Sequence, residues 1–487
     1  MPLRPFSRDQ RWLLPPSLDE LMPEDHPARF VAAFVEAVSM EGWAGIERGG
    51  DPLGRPAYDP RAMLCIWLYG FMTGVRSSRK LEVACGDQIP YLWLSGLQRP
   101  DHNTLWRFYG AHRKEMRKLF KRTVKAAVGL GLVDLALQAV DGTRIQGNAS
   151  RHRSYDRKGL ESLLKRTEAA IADLEAQNRS GGEGAPPRLP EALSKAEKLK
   201  AQVNAALERI KDEEGLEEIN LTDGEAGLVK GRQGVMAGYN AQAAVSPLNS
   251  EVAGGSGRLI TATGVVAGSY DYGQAIPMLR EAEATVGQKA EVSLMDAGYH
   301  SGPNLRECEQ QGYVVLMAES QDRALANPYH KDRFVYEAQS DSYLCPCGQR
   351  LTFRYISRRK GRPESRVYRA GRGVCRACPA FGQCTKDKGL GRGVEIGAYE
   401  AELRRNRDRM ATEEGKAVYR QRKELPEPVF GILKELQGAR RFLLRGLENV
   451  LAEWDLLAAT FNLRTLFRVW QRRQESGRAQ FFGISVP

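Results

Sequence analysis

LALQAVDGTRI, residues 135–145, and VSLMDAGYHSG, residues 292–302, share one grammar: a mostly apolar run that delivers an acid and then small residues. The alternation in the first predicts a strand that ends at Asp141, before Gly142. In the second, the strand ends at Asp296, before Ala297 and Gly298. Strands that present acids at their C-terminal ends point to an α/β sheet, where ligands collect along that edge. A single Asp before Gly is ordinarily a turn residue. Two such strand ends in one chain call for a shared role.

A third carboxylate stands in YRQRKELPEPVFGILK, residues 419–434, where Glu427 lies between the phenol of Tyr419 and the cations of Arg422 and Lys434. Glu427 and Lys434 are seven residues apart, two helical turns, so both project from nearly one face. Pro426 and Pro428 belong in a first turn and not in a helix interior. Glu427 is therefore expected at or just before a helix start, where the dipole keeps a carboxylate ionised. Alone, such a pair is an ordinary surface feature. With Asp141 and Asp296 it completes three hard-oxygen ligands from separate elements, the need of a two-metal phosphoryl-transfer site.

These residues, with GRPAYDP (54–60), SSRKLEVACGD (77–87), RPDHNTLWRF (99–108) and GYNAQAAV (238–245), resemble the DDE transposases of bacterial insertion sequences, in the branch with a Y-R-E-K signature. The resemblance implies an RNase H-like mixed sheet as catalytic core. Asp141, Asp296 and Glu427 would be the catalytic triad, holding two Mg²⁺ or Mn²⁺ ions, with Tyr419, Arg422 and Lys434 near the DNA end. It further implies strand cleavage at the element's ends, transfer of the freed 3′-OH to target DNA, and a homodimer on paired ends. Four residues separate Arg422 from Glu427, where the commonest form of the signature has three. An RNase H-like nuclease that cuts without joining and a non-catalytic DNA-binding derivative are the alternatives. Asp223 and Asp271 are left outside the triad. His300, four residues after Asp296, is within reach of the site in sequence but reads rather as a surface or loop residue. Asn240 and Gln242 read either as contacts to DNA or to water just outside the metal ligands, or as solvent-facing strand polars with no function. P-loop and serine or cysteine nucleophile motifs are absent.

At 487 residues, 42% of them hydrophobic, the chain is long enough for two to four domains. The expected fold class is α/β: an RNase H-like core with a helical N-terminal domain, a helical-hairpin insertion and a cysteine-rich insertion. Residues 1–128 read as helical and DNA-binding. Arg107, Lys114, Lys118, Lys121 and Lys125 form a basic stripe on one helix face, above Leu105, Phe108, Leu119 and Phe120. The core takes 129–155 and 215–340, interrupted by a hairpin at 156–214 whose arms GGEGAPPRLP (181–190) divides. Residues 401–487 complete it with helices. The opening MPLRPFSRDQRWLLPP has no apolar signal core, and AMLCIWLYGFM (62–72) is too short for a bilayer. A cytoplasmic, nucleoid-associated protein with no membrane partner is expected.

The formal charge of +12 favours a polyanion such as double-stranded DNA. From Arg350 to Arg409 there are 17 Lys and Arg against 6 Asp and Glu, almost the whole excess. That segment is a candidate phosphate-backbone surface. Five of the eight cysteines lie in or just before it: Cys345, Cys347, Cys375, Cys378 and Cys384. Cys375-x2-Cys378 is the half-site spacing of a tetrahedral zinc. The resemblance favours Cys345, Cys375, Cys378 and Cys384 as a Zn²⁺ set in a knuckle at 341–400, leaving Cys347 spare.

Overall fold

The computed structural model describes residues 16–40, 43, 57–180, 189–231, 234–268, 270–319, 327–360, 363–387 and 389–475. The opening segment 1–15 and most of the break between the hairpin arms, 181–188, lie outside the described residues. Five helices come first: α1 (Pro27–Glu36), α2 (Pro60–Thr73), α3 (Ser78–Asp87), α4 (Ile89–Leu94) and α5 (His102–Gly129). Asp59 accepts from Arg61 and Ala62 backbone N–H, and Asp101 from Thr104, so each cap satisfies donors that a first turn leaves orphaned. Ser77 precedes α3 as expected but makes no side-chain cap bond. Helix α2 is buried from Met63 through Met72, which is why its sequence is apolar on every face.

Strand β1 (Leu137–Gln146) opens the sheet. It is followed at once by the hairpin of α6 (Arg157–Ser180) and α7 (Leu189–Asp212), set on the antiparallel pair β2 (Ser154–Asp156) and β3 (Glu218–Asn220). The hairpin has a small core of its own around Leu160, Val203, Ala206 and Ile219. Then come β4 (Gly227–Gly231), β5 (Gly234–Pro247), α8 (Ser250–Ala253), β6 (Arg258–Ala267), α9 (Ala275–Val286), β7 (Val292–Met295), α10 (Gly302–Gln310) and β8 (Val315–Met317). Strand β5 runs antiparallel to β1, β4 and β6, whereas β1, β7 and β8 are parallel. The order β6-β5-β1-β7-β8 is a mixed α/β sheet of the RNase H-like kind.

Alternation along the strands sends side chains to two different cores. Ala139, Ala243, Val245 and Leu294 belong to the core that includes the N-terminal helices, while Val140, Ala244, Met295 and Val315 meet Ile276, Leu279 and Leu305 on the other side. Both faces of the sheet are therefore covered, and β5 reads as a nearly unbroken run of small and apolar residues. One expectation is corrected: β1 does not end at Asp141. It continues to Gln146, with Asp141 opposite Ala243, because Asp-Gly here is held in the ladder by β5. Its parallel pairing with β7 covers only Leu137 to Ala139, so Asp141 stands just past that junction.

The cysteine-rich segment forms a second antiparallel sheet, β9 (Val335–Glu337), β10 (Ser342–Leu344), β11 (Arg350–Ser357), β12 (Ser365–Arg369) and β13 (Gly393–Gly397), with α11 (Arg372–Arg376) between the last two. The chain closes with α12 (Glu400–Ala411), α13 (Glu413–Arg420), α14 (Pro426–Glu435) and α15 (Leu447–Glu475). Helix α15 packs against β6, α5 and α2 and is buried almost continuously from Val450 to Leu463. At its start Glu453 meets Arg76 at 2.7 Å, with 1% and 6% of the two side chains exposed. The same carboxylate accepts Leu443 and Leu444 N–H.

Glu453→Ala leaves Arg76 buried without its counter-charge and is expected to lower stability by about 3–5 kcal/mol. Urea denaturation checks this, and an unchanged midpoint would contradict it.

Candidate active site

Because β1 and β7 are parallel neighbours, Asp141 on the first and Asp296 directly after the second stand side by side. Arg422, in the 3-10 turn before α14, bridges them: one Nη lies 3.3 Å from Asp141 Oδ2 and the other 3.5 Å from Asp296 Oδ2. Gly142 N–H donates to Asp141 Oδ1 at 2.9 Å, and Gly298 N–H to Asp296 Oδ1 at 2.8 Å. Tyr419, near the end of α13, donates its hydroxyl to the Met295 carbonyl at 3.0 Å and so ties the turn to the end of β7. Burial pushes the Asp141 carboxyl up to about 6, against the opposing pull of Arg422, and the nearby charges of Asp296 and Asp271 add to the rise. Burial also raises the Tyr419 phenol.

Asp271 is the acid that sequence reasoning left out. Its side chain is 6% exposed, and Oδ1 accepts from both Asn240 Nδ2 and Gln242 Nε2 at 2.8 Å. Arg144 reaches Oδ2 at 3.5 Å. A Cβ on Gly142 would meet Asp271 Oδ1 at 2.5 Å, and one on Gly298 would meet Oδ2 at 2.8 Å and Asp296 Oδ1 at 3.0 Å. Both glycines are thus needed for the close approach of three carboxylates. Asn240 and Gln242 are fully buried, which corrects their reading as solvent-facing. The signal was present: the two amides lie two residues apart on one face of an otherwise apolar strand, and buried amides require partners. Tyr299 extends the network by donating to Gln242 Oε1.

Glu427 occupies the first turn of α14, as its prolines implied, and is exposed. It does not close a ligand set with the aspartates: among the described residues, no three His, Cys, Asp or Glu are arranged to hold a metal ion. Two turns on, Lys434 Nζ donates to Thr143 Oγ1 at 2.5 Å and to the Arg144 carbonyl at 3.3 Å, so the end of α14 lies along β1 beside the acids. Arg107, Lys114 and Lys118 share the exposed face of α5, which packs on β6, two strands from β1. Lys121 of the same stripe is paired with Glu281 at 2.9 Å. His300 is half-buried with Glu319 and Arg407 as its charged neighbours, and burial lowers its pKa. Asp223 binds Tyr239 Oη at 2.7 Å and Gly446 N–H at 3.2 Å, a tie between β5 and the start of α15.

The sheet thus draws Asp141, Asp271 and Asp296 together just past the junction of two parallel strands. Comparison with known families gives two matches. A family described as "Transposase DDE domain" matches residues 344–467, and "Transposase domain (DUF772)" matches residues 16–111. Together they support assignment of the chain to the insertion-sequence DDE transposases. The first match spans Glu427 and its helix, while Asp141 and Asp296 fall outside both. No curated relative and no solved structure matches the chain. DDE domains generally use divalent ions and act on DNA. No helix among the described residues is long and apolar enough to cross a membrane.

In the metal-free protein the Asp141 carboxyl is expected to titrate at about 6. Arg422→Ala should move that midpoint upward, since the guanidinium favours the ionised form. Carboxyl carbon-13 titration reads both, and a midpoint in the ordinary carboxylate range would contradict the buried placement.

Proposed function

We propose that this protein cleaves DNA at the ends of an insertion sequence and transfers the freed 3′-OH to target DNA, using Asp141, Asp296 and Glu427 as its catalytic triad. The observation that carries the reading is the Asp141–Arg422–Asp296 bridge, in which two carboxylates on adjacent parallel strands converge on one cation. Hard oxygens directed at a shared positive charge suit Mg²⁺ or Mn²⁺. Two such ions, when bound, stabilise the attacking and leaving oxygens of an in-line displacement. Asp141 and Asp296 would supply the core ligands. Glu427, on the first turn of α14, would join them as DNA and metal draw that helix in. Asp271 orients Asn240, Gln242 and Arg144 beside the pair. A structural zinc in the cysteine-rich sheet would take no part in the chemistry.

The remaining residues handle DNA. Arg422 bridges the acids and Lys434 lies a few residues further along β1, at Thr143 and Arg144, and both would hold the phosphates flanking the scissile bond. Tyr419 braces Arg422 from behind. Arg107, Lys114 and Lys118 on α5 would grip element DNA away from the cut, so losing them should weaken binding with a shallower salt slope. Joining two ends is best served by a homodimer, one protomer per end.

The test uses purified protein with DNA carrying the inverted repeats that flank its gene. Asp141→Ala, Asp296→Ala and Glu427→Ala are each expected to abolish Mg²⁺-dependent cleavage while leaving end binding intact. Cleavage retained by any one removes that residue from the triad. Strand transfer is scored separately from nicking, and cutting without joining would instead favour a nuclease. Asp271→Asn is expected to reduce cleavage by about 10–100-fold, the range for residues that orient metal ligands. An effect below twofold would reduce Asp271 to a packing role.

A further inference from the structure

The cysteines absent from the catalytic reading come together at one end of the second sheet. Cys345 and Cys347 sit in the turn joining β10 to β11, Cys375 and Cys378 at the end of α11, and Cys384 in the loop that follows. All five line one small cavity of about 20 Å³, room for a single water-sized sphere. Two of the sulfurs already accept backbone N–H groups: Cys345 Sγ from Gln349 at 3.2 Å and Cys375 Sγ from Arg392 at 3.2 Å. The turn is built tightly around the first of them, with Gly348 N–H on the Cys345 carbonyl at 2.8 Å and Gly348 at φ +71°.

A second observation is independent of sulfur chemistry. The sheet's own core contains only eight buried residues, Tyr343, Leu351 and Tyr368 among them, and one of the eight is Cys375. A module with so small a core ordinarily needs a staple, either disulfide or metal. The cysteines lining the cavity are not joined in disulfides and are free to supply a metal staple.

We infer that Cys345, Cys375, Cys378 and Cys384 bind one structural Zn²⁺ that closes this end of the sheet, with Cys347, the exposed thiol, left outside the set. The sulfurs do not stand in a closed ligand geometry among the described residues, and Cys347 and Cys378 are hydrogen-bonded to each other. All five cysteines line the one cavity, and each has staggered side-chain rotamers with which to aim at it. Four thiolates in tetrahedral array are the standard closed site for zinc, and an ion held there replaces the missing core.

The site is independent of the transposase reading and is tested without it. Full-length protein purified without chelator is analysed for metal by mass spectrometry, and the metal-stripped protein is titrated with Co²⁺. One zinc per chain and the charge-transfer and visible bands of tetrahedral thiolate-bound cobalt are expected. Cys375→Ser and Cys378→Ser should each cut zinc to about a tenth or less, whereas Cys347→Ser should keep it. Zinc far below one per chain together with no cobalt bands overturns the site. Loss of zinc in Cys347→Ser, with zinc retained in Cys345→Ser, overturns the ligand set.

Discussion

Helix α15 is a buried rod carrying polar side chains, and each of those is answered by a different layer of the molecule. Glu453 is met by Arg76 of the N-terminal helices. Asp455 is met by Arg117 of α5 at 2.8 Å and by Thr263 of β6 at 2.6 Å. Asn462 brackets Ile260, accepting its N–H and donating to its carbonyl, both at 2.9 Å. Thr460 takes Gln437, which in turn donates to the Phe71 carbonyl. In a low-dielectric interior an unpaired polar group costs more than a paired one returns, so these contacts select one seating of the helix. Apolar packing alone would tolerate several. That seating sets the site, because Gln437 directly follows α14: where α15 sits decides where Lys434 and Arg422 reach β1.

The acids themselves are an unfavourable arrangement that the fold sustains. Asp141, Asp271 and Asp296 stand close together, and burial and the charges of its two neighbours both resist ionisation of Asp141. Their compensation is delivered from outside the sheet by Arg422, in the turn before α14, and from within it by Arg144 and two amides. Removing a side chain at Gly142 and Gly298 is the other half of the design, since a methyl at either place would strike a carboxylate. The site therefore attracts cations before any substrate arrives, a property expected of a centre working on phosphates.

How far this was legible depended on whether a residue's partner was near in sequence. The mixed sheet, the helical hairpin, the N-terminal caps of α2 and α5, and Glu427's place in a first turn follow from patterns a few residues long. Asp296 was also readable, as β7 does end there. Asp141 was misread in one respect, because Asp-Gly is a turn signal locally and only pairing with β5 keeps it in a strand. Asp271 was not legible alone, since its partners Asn240 and Gln242 lie about 30 residues upstream and touch it only once β5 is folded. The bridging role of Arg422 depends on contacts 281 residues apart.

The basic stretch from Arg350 to Arg409 shows why a charge count needs a structure. Many of its cations are paired, several with acids from outside the stretch: Arg350 with Glu337, Arg366 with Asp341, Arg405 with Glu309, and Arg407 with both Glu319 and Asp332. The excess of positive charge is therefore partly spent on holding the second sheet and α12 against α10 and the loop after β8. Pairs such as Arg366 with Asp341, half exposed on both sides, are worth little in water and can be exchanged. A phosphate backbone offers the same guanidinium a stronger, bidentate partner. A surface whose arginines are held in place by weak pairs is better prepared for DNA than one of unpaired lysines, because the side chains are already ordered when the polyanion arrives. In chain order, α12 leads from this sheet to the segment that carries Arg422 and Glu427.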